Sequence, residues 1–257
     1  MAAITPYTDK LSGKSILVIG GTSGIGISVA SLCLAHNAKV IISSSTDKKL
    51  SNALERLKTA YPKADISGYL CDLRASAVES SVKALFEKVG KVDHVVHTAG
   101  DSLAMTKLSE ITVEKIQKAG EVRFVSVLIV AKYAAQYLKS GSASSLTLTS
   151  GIVAERPLAG WSIVSSYAGA LYSTMRNLAL DMKPVRVNLV VPGAVDTELW
   201  DSFSKSEKET FWESVKARVP TGQMGQPHDV AEAYLYVMRD QNVTGVTVKT
   251  DSGDTIV

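Results

Sequence analysis

The segment Ser15–Ile19, followed by glycines at Gly20, Gly24 and Gly26, constrains this chain more than any other stretch. A short apolar, β-rich run predicts a buried strand. Only glycine lets a chain leave such a strand, turn tightly and bring backbone N–H groups against a pyrophosphate at a helix N-terminus. The apolar face of residues 25–36 supplies that helix, so strand, glycine loop and helix form one unit of a parallel α/β fold.

The same alternation continues to the end of the chain. Strands are expected at 39–43, 66–70, 94–98, 145–149, 186–190 and 244–249. Helices are expected at 47–59, 75–89, 113–138 and 163–182. Helical segments between strands predict right-handed crossovers and a single doubly wound Rossmann domain, α/β in class, with a seven-stranded parallel sheet. No composition break marks a linker, so residues 1–257 read as one nucleotide-binding domain, long enough to cover both faces of a sheet. Residues 196–226, with Glu198, Trp200, Phe211 and Trp212, read as a helical substrate flap.

Composition narrows the function classes. A net charge of +3 without a Lys/Arg block argues against nucleic acid as a partner. No apolar run approaches the roughly 18–20 residues that cross a bilayer, and no signal pattern opens the chain, so a cytoplasmic protein with no membrane partner is expected. Cys33 and Cys71 lack metal-ligand spacing and read as reduced core thiols; no metal is expected.

In a doubly wound sheet, ligands bind beyond the C-terminal ends of the strands, where strand order reverses. The first tip offers Thr22, Ser23 and Ile25 with the three glycines. The second offers Ser44 and Ser45, with Lys48 following and no carboxylate before Asp47. Hydroxyls beside ammonium groups suit the 2′-phosphate of NADP(H) better than the bare ribose of NAD(H). The bland alternative is a polar helix cap with solvated lysines.

The spacing Gly-x3-Gly-x-Gly resembles the short-chain dehydrogenase/reductase family, and the resemblance runs from about Lys10 to the C-terminus. It implies that Asp72 and Leu73 contact the adenine, that Ala99 and Gly100 pass close to the cofactor, and that Pro192, Gly193, Val195 and Thr197 cover the nicotinamide carboxamide. The fourth tip reads His97-Thr98-Ala99-Gly100, without the asparagines usual in the family. That family does its chemistry with a Tyr-x3-Lys pair, a serine and an asparagine. Counting back from Arg176 in the helix that follows puts the tyrosine at Val164, the lysine at Ala168, the serine at Gly151 or Ser150 and the asparagine at Arg123. Tyr167 lies three residues off that register, with Leu171 four residues later, and reads as a helix tyrosine at a subunit contact.

The candidate catalytic residues are therefore unusual. Arg123 places a guanidinium on an apolar helix and needs an anion; Asp101, just after Gly100, is the nearest carboxylate in sequence. A structural ion pair is the equal alternative. Trp161 stands on the substrate loop as a wall for a polycyclic ligand or as a loop anchor, with Glu155 and Arg156 nearby as solvated charges. Ser150 is a hydrogen-bond donor or a strand terminus. The combination is similar to a divergent fungal branch, the malbrancheamide and paraherquamide type of reductase/Diels-Alderase from alkaloid pathways. That likeness implies iminium reduction with NADPH in natural-product metabolism, on a bulky apolar small molecule, by a homodimer or homotetramer. A non-redox cyclase or isomerase, and a silent nucleotide binder, are the alternatives. The carboxylate such enzymes place before the tryptophan is replaced here by Leu158, Ala159 and Gly160.

Overall fold

Every residue from Ile16 to Ile19 is buried, so both faces of the first strand are covered, as its unbroken apolar run requires. The computed structural model describes residues 10–74 and 76–257. Its strands are β1 (Ser15–Ile19), β2 (Lys39–Ser44), β3 (Ile66–Leu70), β4 (His94–His97), β5 (Ser145–Thr149), β6 (Arg186–Pro192) and β7 (Thr247–Thr250). All pair in parallel, in the order β3-β2-β1-β4-β5-β6-β7. This is the expected α/β Rossmann sheet, and its order reverses between β1 and β4.

The helices are α1 (Gly24–Ala35), α2 (Asp47–Ala60), α3 (Val78–Val89), α4 (Val113–Gly120), α5 (Ser126–Tyr137), α6 (Ser162–Asp181), α7 (Lys205–Arg218) and α8 (Pro227–Arg239). One apolar cluster joins α3, α5 and α6 to one face of the sheet; the other joins α1, α2 and α8 to the opposite face. The start expected for α3, at Ala75, lies outside the described residues. Helix α8 was not anticipated, although Pro227 at its first turn and buried Val230, Ala231, Tyr234, Leu235 and Met238 at helical spacing carry its signature.

The helix expected to run unbroken over 113–138 is interrupted. Glu121–Val125 forms a π turn between α4 and α5. Two side chains hold it. Tyr167 of α6 packs so close to Gly120 that a Cβ there would sit 2.5 Å from its ring, and the Ser126 hydroxyl donates to the Val122 carbonyl at 2.6 Å. Periodicity of apolar residues does not distinguish a 3.6-residue turn from one widened turn within a long helix. The interruption matters because Arg123 lies in its middle.

Candidate active site

The carboxyl ends of the strands open into a cleft of about 660 Å³, at the reversal of strand order. Nearly every residue expected at a binding site lines it: Gly20, Thr22, Ser23, Gly24, Ile25 and Gly26; Ser44 and Ser45; Asp72 and Leu73; Ala99 and Gly100; Pro192, Gly193, Val195 and Thr197. Lys48 is the exception. It is exposed and outside the lining, while the next residue, Lys49, lines the cleft, because α2 turns the two side chains in different directions.

The glycine loop leaves no room for side chains. Gly20 has φ +86° and its missing Cβ would lie 2.6 Å from the Ala99 backbone; at Gly26 it would overlap the Gly20 carbonyl. This contact brings the tips of β1 and β4 together. At the head of α1 the Gly24 N–H donates to the Glu198 carboxylate at 2.8 Å. The chain's own oxyanion therefore occupies the positive end of the helix.

On the β2–β3 side, the Thr22 hydroxyl donates to Ser44 at 3.3 Å. Arg74, which no motif in the sequence singles out, grips Asp72 through Nε and Nη2, the latter at 2.6 Å, and lines the cleft. This hydrogen bonding holds the Asp72 carboxyl below the usual carboxylate range. Cys71 also lines the cleft, but burial pushes its thiol up to about 12, as it does for buried Cys33; both are free.

Beyond β4 and β5 stand the candidate catalytic residues. Arg123 Nε lies 3.1 Å from Asp101 Oδ1, and Arg123 Nη2 donates to the Asp101 carbonyl. Burial is the leading influence on both, lowering the pKa of the guanidinium and raising that of the carboxyl. Their attraction is real but badly aimed: among the described residues neither Nε nor Oδ1 has a well-directed hydrogen bond. Both atoms therefore keep unused hydrogen-bonding capacity at the wall of the cleft.

Val164 and Ala168 of α6 line the cleft. Tyr167 does not; its hydroxyl donates to the Ile116 carbonyl at 2.9 Å and its ring packs near Phe124, with centroids 5.8 Å apart. The Ser150 hydroxyl donates to the Ala168 carbonyl at 2.8 Å, so its proton is already committed and only its lone pairs face outward. His97 is fully buried, 3.1 Å from Ser126 through Nε2. Since Ser126 gives its own proton to Val122, the histidine donates and is the neutral Nε2–H tautomer; burial lowers its pKa to about 4. A hydrogen-bonded path thus runs from the tip of β4 to the π turn that carries Arg123.

The outer wall is aromatic. Trp200 is buried, donates its indole N–H to the Val195 carbonyl at 2.9 Å, and lies 4.8 Å from Phe211, 5.5 Å from Trp212 and 6.5 Å from Trp161, centroid to centroid. Arg156, expected to be a solvated charge, instead lines the cleft and donates to Asp254 at 2.6 Å; Arg218 donates to the same carboxylate twice, at 2.8 Å. Glu155 faces away, paired with Lys249 and accepting the Tyr172 hydroxyl. Among the described residues no cluster of His, Cys, Asp and Glu suits a metal, and no helix is long and apolar enough to cross a membrane.

Residues 7–257 match the family described as SDR-like Rossmann domain. The chain is 42% identical to the short-chain dehydrogenase/reductase fsr5 of Gibberella fujikuroi, over 98% of both chains. It is 40% identical to the short-chain dehydrogenase/reductase malC of Malbranchea aurantiaca, again over 98% of each. The solved structure of the MalC reductase/Diels-Alderase superposes with a TM-score of 0.92, covering 97% of this chain and 99% of that one. A small-chain dehydrogenase solved in complex with NADPH, 25% identical, superposes with a TM-score of 0.78 over 96% of this chain and all of that one.

Proposed function

The chain belongs to the short-chain dehydrogenase/reductase family, and from that premise we propose that it is an NADP(H)-dependent reductase of specialised metabolism. Its electrophile is an iminium or a comparably activated carbon. What supports this reading is the wall of the cleft: it is lined by Val164 and Ala168, the positions at which the sequence register puts the family's phenol and ammonium, and Tyr167 commits its hydroxyl to Ile116. The likeness to the MalC reductase/Diels-Alderase supports it.

The cleft fits a phosphorylated dinucleotide. Gly20 and Gly26 let the loop pack against the Ala99 backbone and the Gly20 carbonyl, and the head of α1, where a pyrophosphate would bind, already holds an oxyanion. Thr22, Ser44, Ser45, Lys49 and Arg74 would hold the ribose phosphate by charge-assisted hydrogen bonds. Asp72 and Leu73 would flank the adenine; Pro192, Gly193, Val195 and Thr197 would cover the nicotinamide. When bound, the cofactor supplies a hydride.

Reducing a carbonyl leaves an alkoxide that needs a proton; reducing an iminium leaves a neutral amine that does not. A wall without an acidic phenol is therefore compatible with the second reaction and poor for the first. Arg123 and Asp101 form a nearly neutral, under-satisfied pair whose donors and acceptor orient a polar group of the substrate. His97, kept neutral, holds the π turn in place through Ser126. Trp161, Trp200 and Phe211 exclude water and wall off a bulky apolar substrate, with residues 196–226 acting as the flap.

The exposed apolar side chains Val113, Val125, Leu128 and Leu180 on and around α4–α6 support a homodimer or homotetramer. Two buried, unpaired thiols suit a cytoplasmic setting. A second reading, a cyclase using the same aromatic wall, is favoured by the likeness to a reductase/Diels-Alderase. Incubation with NADPH and a 3,4-dihydroisoquinolinium salt, or the ketone 1-tetralone, tests the proposal. Amine formation matched by NADPH oxidation, with no ketone turnover, is expected. Ketone reduction with an inert iminium would overturn it.

A further inference from the structure

The two arginines on the outer wall are not explained by cofactor binding. Arg156 follows β5, Arg218 ends α7, and Asp254 lies in the turn after β7, so all three stand on the side of the cleft opposite β2 and β3. Asp254 is 2% exposed and takes three N–H bonds: Nε of Arg156 at 2.6 Å, and Nε and Nη2 of Arg218 at 2.8 Å. One carboxylate therefore serves two permanent cations, which leaves one positive charge in a largely enclosed place. Among the described residues no partner is found for Nη1 or Nη2 of Arg156, whose side chain remains 24% exposed on the cleft.

Other charges in the cleft do not cancel this excess. Asp101 is matched by Arg123 and Asp72 by Arg74, and the Glu198 carboxylate, held on the Gly24 N–H, is balanced within the lining by Lys49. Leu158, Trp161, Trp200 and Phe211 line the same cleft, so the spare guanidinium edge adjoins a flat apolar wall. Resting on the reading of this cleft as a substrate site, we infer that Arg156, seated on the Asp254–Arg218 pair, forms an anion subsite for a planar apolar substrate bearing a carboxylate. The role of Asp254 is to fix the Arg156 fork, and that of Arg218 is to keep Asp254 from neutralising it. A purely structural latch, tying the C-terminal turn to α7 and the loop before α6, would need only the Nε contact and no free fork.

Calorimetric titration of the full-length protein with 2-naphthoate and with uncharged 2-naphthamide, with and without saturating NADP+, separates the two. Naphthoate should bind at least about tenfold more tightly than naphthamide, the strength of one charge-assisted contact. Arg156→Gln should erase that preference while leaving naphthamide and NADP+ affinity within about twofold, and Arg156→Lys should restore part of it. If the glutamine variant does not fold, the lysine variant decides: a naphthoate preference intermediate between equality and the wild-type ratio supports the subsite, and an unchanged ratio overturns it. Equal affinities for the two probes, or failure of both to bind, also overturn it. Failure of NADP+ to bind sinks the cofactor reading instead, and the probe ratio in cofactor-free protein still decides the subsite.

Discussion

At the scale of single residues, Arg123 is the most unusual group in the cleft. A guanidinium on an apolar helix is costly unless paired, and Asp101 meets it at 3.1 Å. Truncation to alanine removes the donor and leaves Asp101 unmatched in a poorly solvated place. Arg123→Ala should lower kcat/KM by at least about 100-fold, the range for losing one charge-stabilising donor. NADPH affinity, titrated by cofactor fluorescence, should stay within a few-fold. Unchanged turnover would remove Arg123 from the mechanism. This pair was legible in the sequence because a buried cation demands an anion and Asp101 sits beside the Ala99-Gly100 tip. The Arg156–Asp254–Arg218 group was not: its members are 98 and 36 positions apart, and only the chain topology brings them together.

At the scale of elements, strands were easier to read than breaks within helices. The bounds Ser15–Ile19, Ile66–Leu70 and Ser145–Thr149 match the expectation, although only β1 is an unbroken apolar run; β5 alternates Ser/Thr with Leu, and β3 is a half-buried edge strand. The π turn was hidden because Gly120 acts through a partner on another helix, Tyr167, and the local bond from the Ser126 hydroxyl to Val122 leaves no mark on the apolar periodicity. The segment after β6 was expected as a flap, yet nothing in its sequence indicates that Glu198 reaches the head of α1. That contact gives the second prediction. A carboxylate at a helix N-terminus is worth about 0.3–1 kcal/mol, and in the proposed binding mode a dinucleotide phosphate would displace it. Glu198→Gln should therefore tighten NADPH binding by about two- to fivefold, read by calorimetry at low salt. Weaker binding would mean that Glu198 helps to hold the cofactor.

For the whole molecule, two histidines buried in the same strand link stability to pH. His97 is lowered to about 4 and His94 to about 3, in each case chiefly by burial. Both stay neutral in the fold, whereas in the unfolded chain they titrate near 6.5. Between pH 6.5 and about 4 the unfolded chain binds more protons, so stability rises with pH and is lost on acidification. The two sites together set a slope of up to about 2.7 kcal/mol per pH unit. The raised carboxyl of Asp101 acts in the opposite sense and trims it. Urea midpoints at pH 7 and pH 5 should fall steeply for the wild type and less for His97→Asn. Equal drops would place the acid sensitivity elsewhere.

The same buried sheet that suppresses these histidines also positions the cleft, so fold and site are tied at one set of strand tips. In the proposed mechanism, hydride transfer proceeds without the family's phenol. A crystal structure with NADP+ bound tests it most directly, through the surroundings of nicotinamide C4. The account predicts an ordered nicotinamide facing Arg123, Val164, Ala168 and Trp161, with the Tyr167 hydroxyl still on the Ile116 carbonyl. A Tyr167 hydroxyl turned into the cleft, within about 3.2 Å of the nicotinamide ribose, would contradict it.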